Sequence, residues 1–128
     1  MANRLVMHKV MKIDEGERVP VRSRVDSIRL VNEKVNAHNL DVHVNVLQPG
    51  GTTDYHHHTK SESVWIVLQG AADAVIEGKN YRLERNCVVF IPPNVSHVFK
   101  AVGDEEYRFV EIFSPVYADH VPSEPPHE

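Results

Sequence analysis

The chain has 128 residues, with 14 lysines and arginines against 18 aspartates and glutamates, a formal charge of -4, and 41% hydrophobic and 25% charged residues. That length fits one domain around one core, in a composition ordinary for a globular protein. The acidic balance argues against a nucleic-acid partner, which needs a basic face, and no apolar run has the length of a membrane helix or the form of a secretory leader, so no membrane is expected and the cytoplasm is the expected location.

Residues 1–18 read as an N-terminal segment, partly flexible, ahead of a single barrel over 19–118. Val19-Pro20-Val21 and Ile28 to Val31 suit edge strands, with a connecting loop from Val31 to Asn39. Leu40 to Leu47 alternates apolar and polar residues until Pro49-Gly50-Gly51 breaks it. His43 and Asn45 share one face of that strand, which either lines a cavity or is solvated, with solvent the favoured setting. Ser63 to Gln69 is rich in β-formers and ends at Gly70. Ala72 to Ile76 alternates again, and Glu77-Gly78-Lys79-Asn80 makes a hairpin turn before Tyr81-Arg82-Leu83.

Cys87 to Ile91 reads as a short buried strand ended by Pro92-Pro93-Asn94. Cys87, the only cysteine, has no intramolecular disulfide partner and suits an unreactive packed position. His97 to Val102 and Tyr107 to Phe113 complete the strands. Residues 119–128, rich in proline and charge, read as a disordered tail. Many short strands without a helical period predict an all-β sandwich or barrel.

Gly50 to Gly70 carries the chemistry. His56 and His58 stand two apart, so in an extended strand both imidazoles project from one face, with His57 turned the other way. Glu62 follows, and His97 lies in a later strand. Neutral imidazoles with a carboxylate suit a divalent transition metal.

These residues resemble the first motif of the cupin superfamily, G-x5-H-x-H-x3-4-E-x6-G, with Gly70 one residue late. A bulge in the strand would absorb the extra residue. The offset leaves Glu62 or Ser63 for the fourth ligand position, and the better donor, Glu62, is favoured. Asn86 to His97 is similar to the second motif, G-x5-P-x-G-x2-H-x3-N, with asparagine in place of both glycines at Asn86 and Asn94. Asparagine tolerates the positive φ that such turns require.

The resemblance spans roughly residues 40–115. It implies a double-stranded β-helix, a jelly-roll-like cupin barrel holding one divalent metal (Fe, Mn, Ni, Cu or Zn) on His56, His58, Glu62 and His97, and frequently a homodimer. The sheet edges near residues 19–31 are the expected place for pairing between two copies. A His3Glu centre with open positions chelates a small oxygenated molecule, such as a keto or hydroxy acid. The expected activity is of dioxygenase, lyase, decarboxylase or isomerase type.

Glu111, flanked on its strand face by Phe109 and Phe113, and Tyr55 are the candidate catalytic residues. For Glu111 an ordinary edge-strand position is the competing expectation. A small-molecule-binding or sensing cupin without turnover is the alternative function. A purely structural metal fits less well, because structural zinc sites prefer cysteine.

Overall fold

A computed structural model describes residues 8–116 and 119–124. Among these residues eleven strands run in chain order: β1 (Glu17–Arg22), β2 (Val25–Val31), β3 (Asp41–Leu47), β4 (His56–His57), β5 (Glu62–Gln69), β6 (Ala71–Ile76), β7 (Lys79–Glu84), β8 (Val88–Ile91), β9 (His97–Val102), β10 (Tyr107–Ser114) and β11 (Val121–Pro122). They form two antiparallel sheets, ordered β1-β2-β3-β10-β5-β8 and β11-β4-β9-β6-β7. Helical structure is confined to the 3-10 turns Ile13–Glu15 and Glu33–Val35 among the described residues. None of it is long and apolar enough to cross a membrane.

Aromatic packing fills much of the barrel interior. Trp65, Tyr107 and Phe109 are fully buried together with Leu47 and Val67. Phe99 meets Phe109 edge to face, with ring centroids 5.0 Å apart, a geometry that adds to simple area burial. A second, smaller core lies on the outer face of the six-stranded sheet. There Ile28, Val44 and Val46 pack with Ile13 and Leu30. The N-terminal segment therefore contributes Ile13 to a core, and the boundary expected at residue 19 falls inside β1.

That second core explains a reversal. The valines of β3 are buried against the outer layer, which turns His43 and Asn45 inward, and Asn45 lines the interior cavity. The favoured solvated setting is corrected: both faces of this strand are covered.

The turns follow local chemistry. Glu77 and Gly78 both have positive φ, as the tight hairpin between β6 and β7 requires. Asn86 (φ 73°) and Asn94 (φ 69°), standing where the motif has glycine, take the left-handed conformation. Asn94 N–H donates to the His58 carbonyl at 2.7 Å, tying the second motif to the first.

β5 also ends in a bulge. Pairing of β10 with β5 slips between Arg108 and Phe109, whose partners are Gln69 and Val67, leaving Leu68 as the extra residue. Gly70 has φ 74°, and a Cβ there would overlap the Glu106 carbonyl oxygen. Gly70→Ala is therefore expected to destabilise the protein by more than about 1 kcal/mol, read as a lower denaturant midpoint with an unchanged slope.

Three sequence expectations change. Val25–Val31 is no edge strand, since it pairs with β1 on one side and β3 on the other. Cys87 to Ile91 is not uniformly buried, because β8 is a sheet edge with Val88 and Phe90 more than half exposed. Within the expected disordered tail, residues 119–124 are described and Val121–Pro122 pairs with His56–His57. The remainder of that tail lies outside the described residues.

Candidate metal centre

His56 opens the site from β4, and His97 stands directly across from it in β9. His58 follows two residues later, as the pleat dictates. All three histidines are buried, and their ligand-capable nitrogens lie within 4.8 Å of one another.

Each ring is oriented by a backbone carbonyl at its Nδ1. His56 donates to Asp54 O at 2.7 Å and His97 to Val95 O at 2.9 Å, while His58 donates to Asp119 O. With Nδ1 committed, each Nε2 is left as the free lone pair, an arrangement that recurs behind metal-bound imidazoles. His58 Nε2 is buried with no hydrogen-bond partner. An orphaned acceptor beside two other imidazole nitrogens is the donor set a divalent transition ion satisfies, so the residues fit the group.

Electrostatics agree. Burial, opposed by its carbonyl bond and reinforced by the neighbouring histidines, pushes His56 down to about 4. Burial likewise lowers His97. Both rings are neutral at physiological pH, the form that coordinates metal.

Glu62 is not brought to this cluster. It is exposed at the start of β5, where Ser63, Trp65 and Val67 face inward. The Leu68 bulge lies beyond these residues and leaves their alternation intact. The expected fourth ligand is thus corrected on grounds of strand parity. Ser63 holds the inward position instead, fully buried, with an Oγ that has no partner.

A cavity of about 230 Å³ opens onto the three imidazoles. Val25, Leu47, Phe99 and Phe113 give it apolar walls, and Asn45 and Glu111 provide its buried polar side. Glu111 projects into the barrel interior, not onto an edge, and is only 7% exposed. Its Oε1 accepts from His43 Nε2 at 3.0 Å and Asn45 Nδ2 at 2.8 Å, and its Oε2 from Trp65 Nε1 at 3.0 Å. Asp41 holds the far side of His43, with Oδ1 3.0 Å from Nδ1.

Burial alone would lower His43, but the hydrogen bonds and charges of Asp41 and Glu111 outweigh it and raise the imidazole to about 9. Burial would raise Glu111, yet the bond and charge of His43 hold it below the usual carboxylate range. Glu111 is therefore an ionised, saturated carboxylate rather than a free acid or base.

Tyr55 does not line the cavity. Its backbone carbonyl accepts from Ser123 N–H at 2.9 Å. His57 turns away from the metal cluster, its Nδ1 2.7 Å from Ser123 Oγ.

A residue that spacing did not single out, His120, lines the exposed rim. It stacks on His56 with centroids 4.1 Å apart and donates from Nε2 to Asp54 Oδ2 at 2.8 Å. Arg22 reaches the other oxygen of Asp54 at 3.0 Å. His120 has no ligand spacing in sequence, so only its place in the fold reveals it.

A two-sheet barrel with three inward histidines defines the class, and a cupin domain model matches residues 43–113. The chain belongs to the cupin family. It is 30% identical over 106 residues to the polyketide synthase CurC of Streptomyces cyaneus, covering 81% of this chain and 69% of that one. Among solved structures it resembles the polyketide cyclase RemF of Streptomyces resistomycificus, with TM-score 0.83 and 20% identity over 92% of this chain and 87% of that one. It also resembles a Thermotoga maritima protein described as a predicted oxalate decarboxylase, with TM-score 0.76 and 17% identity over 84% and 99% of the two chains. At these identities the two structures speak for the fold.

Proposed function

We propose that this cupin is a metal-dependent enzyme acting on a small oxygenated organic molecule, a keto or hydroxy acid or an enolisable polyketone. The observation that carries the reading is three buried imidazoles gathered at one apolar-walled cavity, their ligand-capable nitrogens within 4.8 Å of one another. When bound, a divalent transition ion supplies Lewis acidity toward substrate oxygens, or a redox centre for O2.

His56, His58 and His97 would hold the ion through their imidazole nitrogens. Val25, Leu47, Phe99 and Phe113 exclude water and strengthen local electrostatics. Asn45 and Glu111 present fixed polar groups to the substrate, and the Asp41–His43 pair keeps the Glu111 carboxylate ionised and still. His120, held by Asp54, faces whatever enters at the rim.

CurC and RemF, by their names, belong to polyketide chemistry. That supports enolisable ketones as a first substrate class, with lyase, isomerase or cyclisation chemistry ahead of oxygenation. The test is a turnover screen of metal-loaded protein against keto acids, hydroxy acids and linear polyketones, with and without O2. Metal-dependent turnover that disappears in His97→Ala is expected. Protein that retains its metal and transforms nothing across the panel, while still binding such molecules, would identify a binding module instead.

A further inference from the structure

The three carbonyls that orient the imidazoles differ in origin. Asp54 and Val95 each lie two residues before the histidine they serve, so His56 and His97 carry their orienting group with them. The carbonyl serving His58 belongs to Asp119, 61 positions away in the sequence. Asp119 in turn grips the neighbour of His58: its carboxylate accepts from Thr59 N–H at 2.7 Å and Thr59 Oγ1 at 2.5 Å.

The rest of the segment is fastened along the same motif. Val121 and Pro122 pair with His57 and His56. Ser123 N–H donates to Tyr55 O, and its Oγ lies 2.7 Å from both His57 Nδ1 and Ser96 Oγ. With His120 stacked on His56, every residue from Tyr55 to Thr59 touches this one segment.

We propose that residues 119–123 form a strap that positions the metal centre, with the docking of Asp119 on Thr59 setting the ring of His58 and so tuning metal affinity. The inference rests on the metal-binding reading above. It deepens that reading by assigning control of one ligand to the C-terminal segment. A strap that merely covered the edge of β4 would add stability without discriminating metal-loaded from metal-free protein. A positioning strap is linked to the metal, and the linkage is reciprocal: what the docked strap adds to metal affinity, the bound metal adds to strap protection.

The experiment uses the full chain and Zn2+ alone as probe. Asp119→Ala removes both Thr59 acceptors and leaves the three histidines in place. Its Kd for Zn2+, measured by competition with a chromogenic chelator, is expected to rise by about tenfold, the lower end for loss of an outer partner of a metal-bound histidine. Asp119→Asn keeps an acceptor for the Thr59 amide and should recover part of the loss.

Ser123→Ala, at the far end of the strap, should weaken binding in the same direction, which guards against a folding defect in the first variant. In the wild type, amide exchange over residues 119–123 should slow on adding Zn2+. Unchanged Zn2+ affinity in Asp119→Ala and Ser123→Ala, with strap exchange indifferent to Zn2+, would overturn the proposal while leaving the centre intact. A wild-type chain that takes up no Zn2+ would overturn the centre as well.

Discussion

Replacing Glu111 by alanine is expected to destabilise the barrel by about 3–5 kcal/mol, the range for removing one partner of a buried ion pair. Three donors lose their acceptor at once: His43 Nε2, Asn45 Nδ2 and Trp65 Nε1. Asn45 and Trp65 have no other acceptor among the hydrogen bonds of the described residues, and His43 keeps only Asp41. Unmet buried donors each cost about 1–3 kcal/mol, so the loss of stability does not depend on the charge pair alone. In a domain of this size the loss lowers Tm by roughly 10–20 °C.

The effect carries a pH signature. His43 ionises near 6.5 when unfolded and at about 9 in the folded protein, so its contribution is complete below about 6.5 and is lost as the pH rises through 9. Glu111 is shifted the other way, so its contribution is present above its ordinary value of 4.5 and is lost as the pH falls. Between these limits lies the window in which wild type and Glu111→Ala differ most. Calorimetric scans at pH 6 and pH 9.5 should show the gap narrowing at the higher pH. A gap that is small, or equal at both, would remove the ion pair from the account.

His97→Ala and Glu62→Ala should separate completely in metal binding, although the family motif assigns ligands near both. His97 is 1% exposed and supplies one of the three imidazole nitrogens of the buried cluster. Its loss should weaken binding by more than about a hundredfold, beyond what outer-partner mutations do. Glu62 lies on the exposed face of β5, and its removal should leave affinity within about twofold, as for an ordinary surface change. Equilibrium dialysis with metal analysis by mass spectrometry reads both. A large loss in Glu62→Ala would return the carboxylate to the centre.

Much of this site is written locally in the chain. Two-residue periodicity alone puts His56 and His58 on one face, and the proline-turn-histidine spacing brings His97 opposite them. Asn86 and Asn94 stand in for glycine because their turns need positive φ, which asparagine tolerates.

Glu62 misleads because Val64, Trp65, Ile66 and Val67 are all apolar, so the sequence hides which parity faces the core. Only the pairing of β5 with β8 and β10 decides it, and it selects Ser63. His43 and Asn45 mislead for a related reason. Alternation in β3 defines two faces but cannot say that an outer layer containing Ile13 covers the valines.

The C-terminal strap was the least legible part. Proline and charge describe its composition, whereas its order comes from Thr59, Tyr55 and Ser96, contacts that no local pattern encodes. Asp119 and His120 therefore enter the site through long-range packing.

The most direct test of the central claim is an anomalous-difference map from crystals of the metal-loaded protein, recorded at the absorption edge of the bound ion. A single peak within bonding distance of Nε2 of His56, His58 and His97, with Glu62 pointing to solvent, is the predicted result. A map without density between those three rings, or with the ion held by other side chains, would contradict it.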